Sequence, residues 1–564
     1  MRRREVAIYA GAAALYSAFI ASASTVIGGH RVFTLFDDAM ISMRYARNLA
    51  EHGALTWNHG GAAVEGYTNL LWTLWMALVH LCHLPELQIS LAISVTGALL
   101  LGLAGHRVVA LLRAVEASPL ATGFALAATL LSYGLVYWTL RGMEVGLLAC
   151  LVAVGTLALV QLVDGVPRRL WIVIACGVAA MLTRTDAVVF VGPWLVFCAL
   201  ALRGRPRLVV VAALAASVVA TLAAHTLFRW QYYGDPLPNT YYLKLGGIPL
   251  GTRLVRGTAS VFHLLQIGWF VPVVVGAIAF ARSERRLVKL LLAMQVIAAA
   301  SYSIYVGGDA WEGFDIPNRY ISPALPALFA LAALGIDVIA ESAARARILA
   351  VGLVAFAALQ LVTPSYPVTM QVAATHETTT YLRIVLALLA AAVMLRRTPP
   401  PRWLLAVVVL VPACAGWIAW ARRGPEDAHI DAERARFGLA IRAATSPDAT
   451  LATTPAGNIP YFAHIRSLDL LGKSDARIAH EPPRTPLFLP GHVKWDYGYS
   501  IGQLKPDVVD ELFTPIQAWL VDSDKRSMAA WGYRQIAPDI YVRTDSRLVD
   551  AALLQRLLAG PPAK

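Results

Sequence analysis

The stretch GMEVGLLACLVAVGTLALVQLV, residues 142–163, holds a single charged side chain, Glu144. As a helix rising 1.5 Å per residue it spans about 30 Å, the thickness of a bilayer's hydrocarbon core. Comparable apolar runs flank it on both sides, at 6–27, 69–84, 88–112, 119–139, 170–183, 187–202, 208–230, 259–281, 287–306, 323–340, 348–362, 380–396 and 403–420. The whole chain of 564 residues is 58% apolar and 15% charged, with a mean hydropathy of +0.59. A water-soluble fold is excluded, and the chain reads as a polytopic α-helical membrane protein.

Charge follows the same division. Residues 1–420 carry 30 Lys/Arg against 18 Asp/Glu, whereas residues 421–564 carry 18 against 17. The basic excess lies in short links: Arg2, Arg3 and Arg4, Arg168 and Arg169, Arg203 to Arg207, Arg282 to Arg286, Arg345 and Arg347, and Arg396 to Arg402. Cytoplasmic loops show this bias, so the net charge of +13 needs no nucleic-acid partner. The N-terminus is thereby expected inside, the first run is expected to stay as an anchor, and loops 28–68, 231–258, 307–322 and 363–379 are expected outside. The balanced, proline-punctuated tail, residues 421–564, is expected there too, as an α/β or α+β domain in which Ala518 to Val521 and Ile540 to Val542 read as strands. An inside start and an outside end require an odd number of crossings, about 11–13 spans in all, with the short pieces 69–84 and 170–183 the suspects for re-entry. The five cysteines, all within or beside apolar runs, indicate neither a disulfide framework nor a zinc site.

The outside loops gather the chemistry. In FDDAMISMRYARNL, residues 36–49, Asp37 and Asp38 precede a helical pattern with Ile41, Tyr45 and Leu49 on one face and Arg44 and Arg47 on another. The pair suits proton acceptance from a sugar hydroxyl, with Arg44 one turn on for a phosphate; equally, either aspartate suits a helix N-cap. YYGDPLPNTYYLK, residues 232–244, sets Asn239, Tyr241 and Lys244 among interfacial aromatics, and an outside lysine suits a phosphate. A third loop collects Asp309, Glu312, Asp315, Asn318 and Arg319, which leaves a divalent cation possible, although six oxygen ligands are not evident. Arg141 with Glu144, and Arg184 with Asp186, read as ion pairs, since an unpartnered charge at membrane depth costs at least about 2.5 kcal/mol, with the lining of a polar cavity as the alternative for both couples.

Taken in order, FDDAMISMRYARNL, VEGYTNLLWTL, WTLRGMEVGLLA, LTRTDA, YYGDPLPNTYYLK, GGD before NRYISPALP, and PAGNIPYFAHIRSLDLLGKSD with GHVKWDY and KPDVV resemble the terminal β(1→2) arabinofuranosyltransferase family of mycobacterial cell-wall synthesis and its bacterial relatives. The resemblance runs from residue 36 to about 510. It implies a bundle of the C superfamily of glycosyltransferases (GT-C) over residues 1–420 and an extracytoplasmic tail, in a bacterial inner (cytoplasmic) membrane. It implies transfer of a sugar, arabinofuranose in the named family though not in every relative, from a polyprenyl-phosphate donor to a cell-envelope glycan. It further implies Asp37 and Asp38 as the catalytic acids, and Arg44, Glu65, Tyr67, Asn69, Asn239, Tyr241, Lys244, Asp309, Arg319, His492 and Lys494 around donor and acceptor. A transporter or flippase of lipid-linked sugars is the competing class, motivated by the many spans and by Arg184 and Asp186 in an apolar run.

Overall fold

The computed structural model describes residues 3–560 apart from 315, 363–375 and 514–518. Among them, seven helices are long and apolar enough to cross a membrane: Arg3–Ser22, Glu86–Ala114, Val145–Val163, Gly204–Tyr233, Leu250–Ala281, Arg286–Val306 and Ser322–Ile339. Two bent pairs raise the number to nine. Pro119–Leu131 meets Tyr133–Leu140 at 42°, and Arg402–Cys414 meets Gly416–Arg423 at 47°. The suspect segments form helices of 12 and 15 residues, Leu70–Leu81 and Arg169–Thr183, about 18 and 22 Å long, which is short of a full crossing. Arg169–Thr183 is followed by one tight turn, Thr185–Ala187, and then by Val188–Ala201, so Arg184 and Asp186 sit where the helical backbone breaks.

The first loop is shaped by its own chemistry. Strands β1 (Ser24–Ile27) and β2 (His30–Phe33) form a hairpin whose two turn residues, Gly28 and Gly29, both have positive φ, the conformation a tight hairpin demands and side chains resist. Beyond β2, the Phe36 ring meets Trp138 and Trp311 edge-on, at 5.6 and 5.1 Å between centroids. The helix Asp37–His52 therefore starts from an anchored point, and it ends where Gly53 takes the left-handed conformation.

The tail is a three-layer α/β domain. Strands β3 (Thr450–Thr453), β4 (Arg466–Asp469), β5 (Val508–Asp510), β6 (Tyr533–Ala537) and β7 (Ile540–Arg543) form one sheet in the order β4-β3-β5-β7-β6. The first three are parallel and β7 is antiparallel to both of its neighbours. Alternation fills both faces: Leu451, Val508 and Val542 pack with Ile441 and Leu554 from helices Ala428–Ala444 and Ala551–Leu558, while Ala452, Val509 and Tyr541 pack with Trp495, Ile501 and Met528. Ile540 to Val542 is a strand as expected. Residues 519–521 instead open the helix Trp519–Ala530, because so short an apolar run does not by itself distinguish strand from helix, and Ala518 lies outside the described residues.

The tail docks on the membrane bundle through charges that the sequence assigns otherwise. Arg141 does not pair with Glu144; it forms a fully buried pair with Asp431 of helix Ala428–Ala444. Arg44 is not available to a phosphate. It is 3% exposed, and its guanidinium donates to the carbonyls of Trp57 (2.6 Å), Ile465 (2.9 Å) and Pro460, locking the first loop onto the tail. Arg47 does likewise with the Tyr461 carbonyl (2.6 Å). Removing one partner of a buried ion pair strands the other charge at a cost of about 3–5 kcal/mol. Asp431→Ala should therefore lower the thermal midpoint of the detergent-solubilised protein markedly, followed by tryptophan fluorescence; an unshifted midpoint would show that the pair does not hold the tail.

Candidate active site

Asp37 and Asp38 form the first turn of their helix, where carboxylates suit the positive end of the backbone dipole, but neither caps that helix by a side-chain hydrogen bond. They point into different surroundings. Asp37 accepts from the backbone N–H groups of Asn458 (2.8 Å) and Gly457 (3.2 Å) in the tail. Gly457 is needed there, because a Cβ would lie 1.9 Å from the Asp37 carbonyl oxygen. Asp38 accepts from Arg319 Nη1 at 2.8 Å and from Lys473 Nζ at 2.7 Å. Arg319 in turn pairs with Asp309 through Nε at 2.9 Å. Burial pushes the Asp38 carboxyl up, but Lys473, Arg319 and Lys244 outweigh it and hold it well below the usual carboxylate range.

Beside this centre lies a cavity of about 380 Å³. Leu222 and Thr226 of helix Gly204–Tyr233, Val188, Val306, Leu237 and Leu245 supply apolar wall. Arg184, Arg229, Asp186 and Lys244 supply charge, and Tyr241, Tyr302 and Tyr320 supply ring faces and hydroxyls. The two arginines are neutralised in place: Arg184 by Glu144 (2.8 Å) and Asp186 (2.6 Å), Arg229 by Glu65 (2.7 Å). Lys244 differs. Among the described residues it has no carboxylate partner, only the Tyr320 hydroxyl at 3.4 Å. Asp38 does not line the cavity itself; Arg319, which holds it, is the neighbour of the lining residue Tyr320.

Of the residues singled out in sequence, Tyr241 and Lys244 line this cavity, and Asp38, Asp309 and Arg319 form the ion-pair centre next to it. Others stand one layer back. Glu65 holds Arg229; Asn69 donates to Glu144 (2.9 Å), which holds Arg184; Asn239 donates to the carbonyls of Gly472 (2.8 Å) and Lys473 (2.9 Å). Tyr67 bonds Tyr233 and does not reach the cavity. Lys494 is 1% exposed and donates to the carbonyls of Tyr242 (2.9 Å) and Ala479 (2.7 Å), a structural clamp away from the cavity lining. The His492 ring packs against Trp311 and Phe513, and burial together with the Lys473 charge lowers it to about 4, so it is neutral at physiological pH. The acidic third loop is internally engaged: Glu312 accepts from the Asp309 N–H (2.6 Å) and from Asn318 (3.2 Å). Asp315 lies outside the described residues. Among the described residues, no three His, Cys, Asp or Glu side chains gather as ligands for a metal ion. Arg184 and Asp186 pair as expected and line the cavity, whereas Lys473, within the quoted GKSD, is a site residue that only its partner Asp38 reveals.

A family model described as "Domain of unknown function (DUF8728)" matches residues 426–549. No protein of curated function matches the chain. Among solved structures, ArnT from Cupriavidus metallidurans in the apo state is 16% identical with a TM-score of 0.56, and the alignment covers 99% of each chain. ArnT from the same organism bound to undecaprenyl phosphate is 15% identical at the same TM-score and coverage. This chain has the ArnT fold. The multi-span helical bundle followed by a C-terminal α/β domain, expected from the sequence, is thus its architecture.

The ionisation of Asp38 carries a stability signature. A carboxyl whose folded pKa is depressed contributes stability above its unfolded value, near 4, and that contribution disappears as pH falls through the folded value. Asp38→Asn should therefore unfold more readily than the parent at pH 7, and the gap in thermal midpoint should close progressively below about pH 4. A gap independent of pH would contradict the ion-paired state.

Proposed function

We propose that this protein is a membrane glycosyltransferase that takes a sugar from a polyprenyl-phosphate donor and passes it to a hydroxyl of a cell-envelope glycan. The reaction runs on the membrane face that bears the tail, the extracytoplasmic face of a bacterial inner membrane by the distribution of arginines. One observation carries the reading: an apolar-walled cavity between spanning helices contains a cation without a carboxylate partner, Lys244, beside the ionised Asp38. Hydrocarbon wall and free ammonium together suit an isoprenoid chain ending in phosphate. The undecaprenyl phosphate carried by the ArnT structure of the same fold supports that ligand class. The motif order supports an arabinofuranosyl or related donor.

The chemistry follows from the charges. The acceptor oxygen attacks the anomeric carbon, the bond from that carbon to the phosphate oxygen breaks, and its electron pair leaves with the phosphate. Positive charge develops on the sugar ring, where the Asp38 carboxylate offsets it. Negative charge grows on the departing phosphate, where Lys244 and Arg184 stand. Held so acidic, Asp38 is a poor base for a resting hydroxyl. It becomes an adequate one late in the reaction, when the half-bonded acceptor oxygen has become strongly acidic and gives up its proton.

Purified protein supplied with a panel of synthetic polyprenyl-phosphate pentoses and hexoses should yield a glycosylated product by mass spectrometry. Asp38→Asn should reduce turnover at least about a hundredfold, the usual scale for losing a positioned acid–base group. Lys244→Ala should raise the donor KM. Passage of lipid-linked sugar across sealed vesicles, with no covalent product, would replace this reading with a flippase.

A further inference from the structure

We propose that Lys473, a side chain supplied by the tail, is a positioning residue of the transfer reaction that acts through Asp38. The proposal rests on the glycosyltransferase reading above and extends it: the tail completes the reaction centre.

Three separate elements fix the backbone from which Lys473 projects. At the carboxyl end of β4, Asp469 accepts from the N–H groups of Leu471 (3.0 Å), Gly472 (3.1 Å) and Ser474 (2.6 Å), folding the segment into a tight turn. Asn239 of the second loop holds the carbonyls of Gly472 and Lys473. Gly66 of the first loop lies so close that a Cβ there would meet Ser474 Oγ at 2.3 Å and the Lys473 carbonyl at 2.9 Å. The side chain leaves this clamp for one destination, Asp38 Oδ1 at 2.7 Å, with only 11% of it exposed.

Charge balance shows why a second cation is required. Arg319 serves two carboxylates at once, Asp38 and Asp309. Without Lys473, both acids would draw on one guanidinium, and Asp37 stands next in sequence as a further negative charge. The other groups that act on Asp38 do not replace the lysine: Lys244 makes no ion pair with it, and His492 is neutral at physiological pH. Asp469 faces the lysine with its oxygens engaged by backbone N–H groups. The arginine-to-carbonyl bonds by which Arg44 and Arg47 grip the tail are indifferent to pH; here the contact falls on an acid of the ion-pair centre beside the cavity.

The test compares Lys473→Gln and Lys473→Arg in the full-length protein. An opposite charge within 4–6 Å lowers a carboxyl pKa by about 1–3 units, so Lys473→Gln should move the acid limb of the kcat/KM profile upward by about one unit or more. Lys473→Arg should restore it, and donor KM should change little in either. An independent readout is the carboxylate infrared band of Asp38, isolated by difference against Asp38→Asn, whose titration should shift upward in Lys473→Gln and return in Lys473→Arg. An infrared titration unmoved by Lys473→Gln overturns the proposal whatever the activity, as does a kcat/KM limb that stays in place. If the infrared shift appears while the parent protein transfers no sugar, Lys473 controls Asp38 as stated and the glycosyltransferase reading is what fails.

Discussion

The carboxylate of Asp38, held between Arg319 and Lys473, is the contact on which the arrangement of the site depends. It ties together the first loop, the segment that opens the central helix Ser322–Ile339, and the tail. That helix is buried along its entire length, so Arg319 just ahead of it is presented from the least deformable part of the bundle. Asp38 gains the same fixity from Phe36, wedged against Trp138 and Trp311. Lys473 alone arrives from a separate domain, and its turn is gripped by Asn239 and crowded by Gly66. A charged centre this buried needs this degree of constraint, because side chains free to rotate would turn toward water and leave the acid to protonate in a poorly solvated site.

The tail sheet explains how so many of its residues reach that edge. In a parallel α/β sheet, functional groups collect beyond the carboxyl ends of the strands. Here Gly457 and Asn458 follow β3, Lys473 follows β4, and Asp510 with Glu511 ends β5. The first two groups engage Asp37 and Asp38 directly. In the third, burial, with the neighbouring Glu511 charge, pushes Asp510 up to about 8, and its side chain accepts from Thr453 at 3.1 Å. The membrane domain has in effect taken the ligand crevice of an α/β sheet and filled it with its own first loop.

How much of this was legible in the sequence follows from the range of the interactions. Hydrocarbon thickness acts on contiguous residues, so the spans, the two undersized segments and the break at Arg184 could be read from local pattern. Loop motifs identified Asp37, Asp38, Lys244 and Arg319 as residue types in the right order. Pairing was not legible, because it is made across the chain: Asp38 meets Arg319 281 positions away and Lys473 435 positions away, and Arg141 meets Asp431 290 positions away. Local proximity misled where it suggested a partner, as with Arg141 and Glu144, or a free cation, as with Arg44. The strand expected over 519–521 failed for a related reason, since so short an apolar run fits a helix face as well as a pleat.

Charge compensation also distinguishes the networks that reach the cavity. Ser42, Asn69, Glu144, Arg184 and Asp186 form one continuous chain of hydrogen bonds and ion pairs from helix Asp37–His52 to the cavity wall. Each link satisfies the next, so Arg184 reaches the cavity already compensated and can offer a phosphate only what its carboxylates leave free. Glu65 constrains Arg229 in the same way. Lys244 has a single hydroxyl contact and acts on Asp38 through its charge alone, so in the proposed reaction it is the cation that a donor phosphate would meet. On that reading, donor binding would supply the charge compensation next to the carboxylate that a developing positive charge would require.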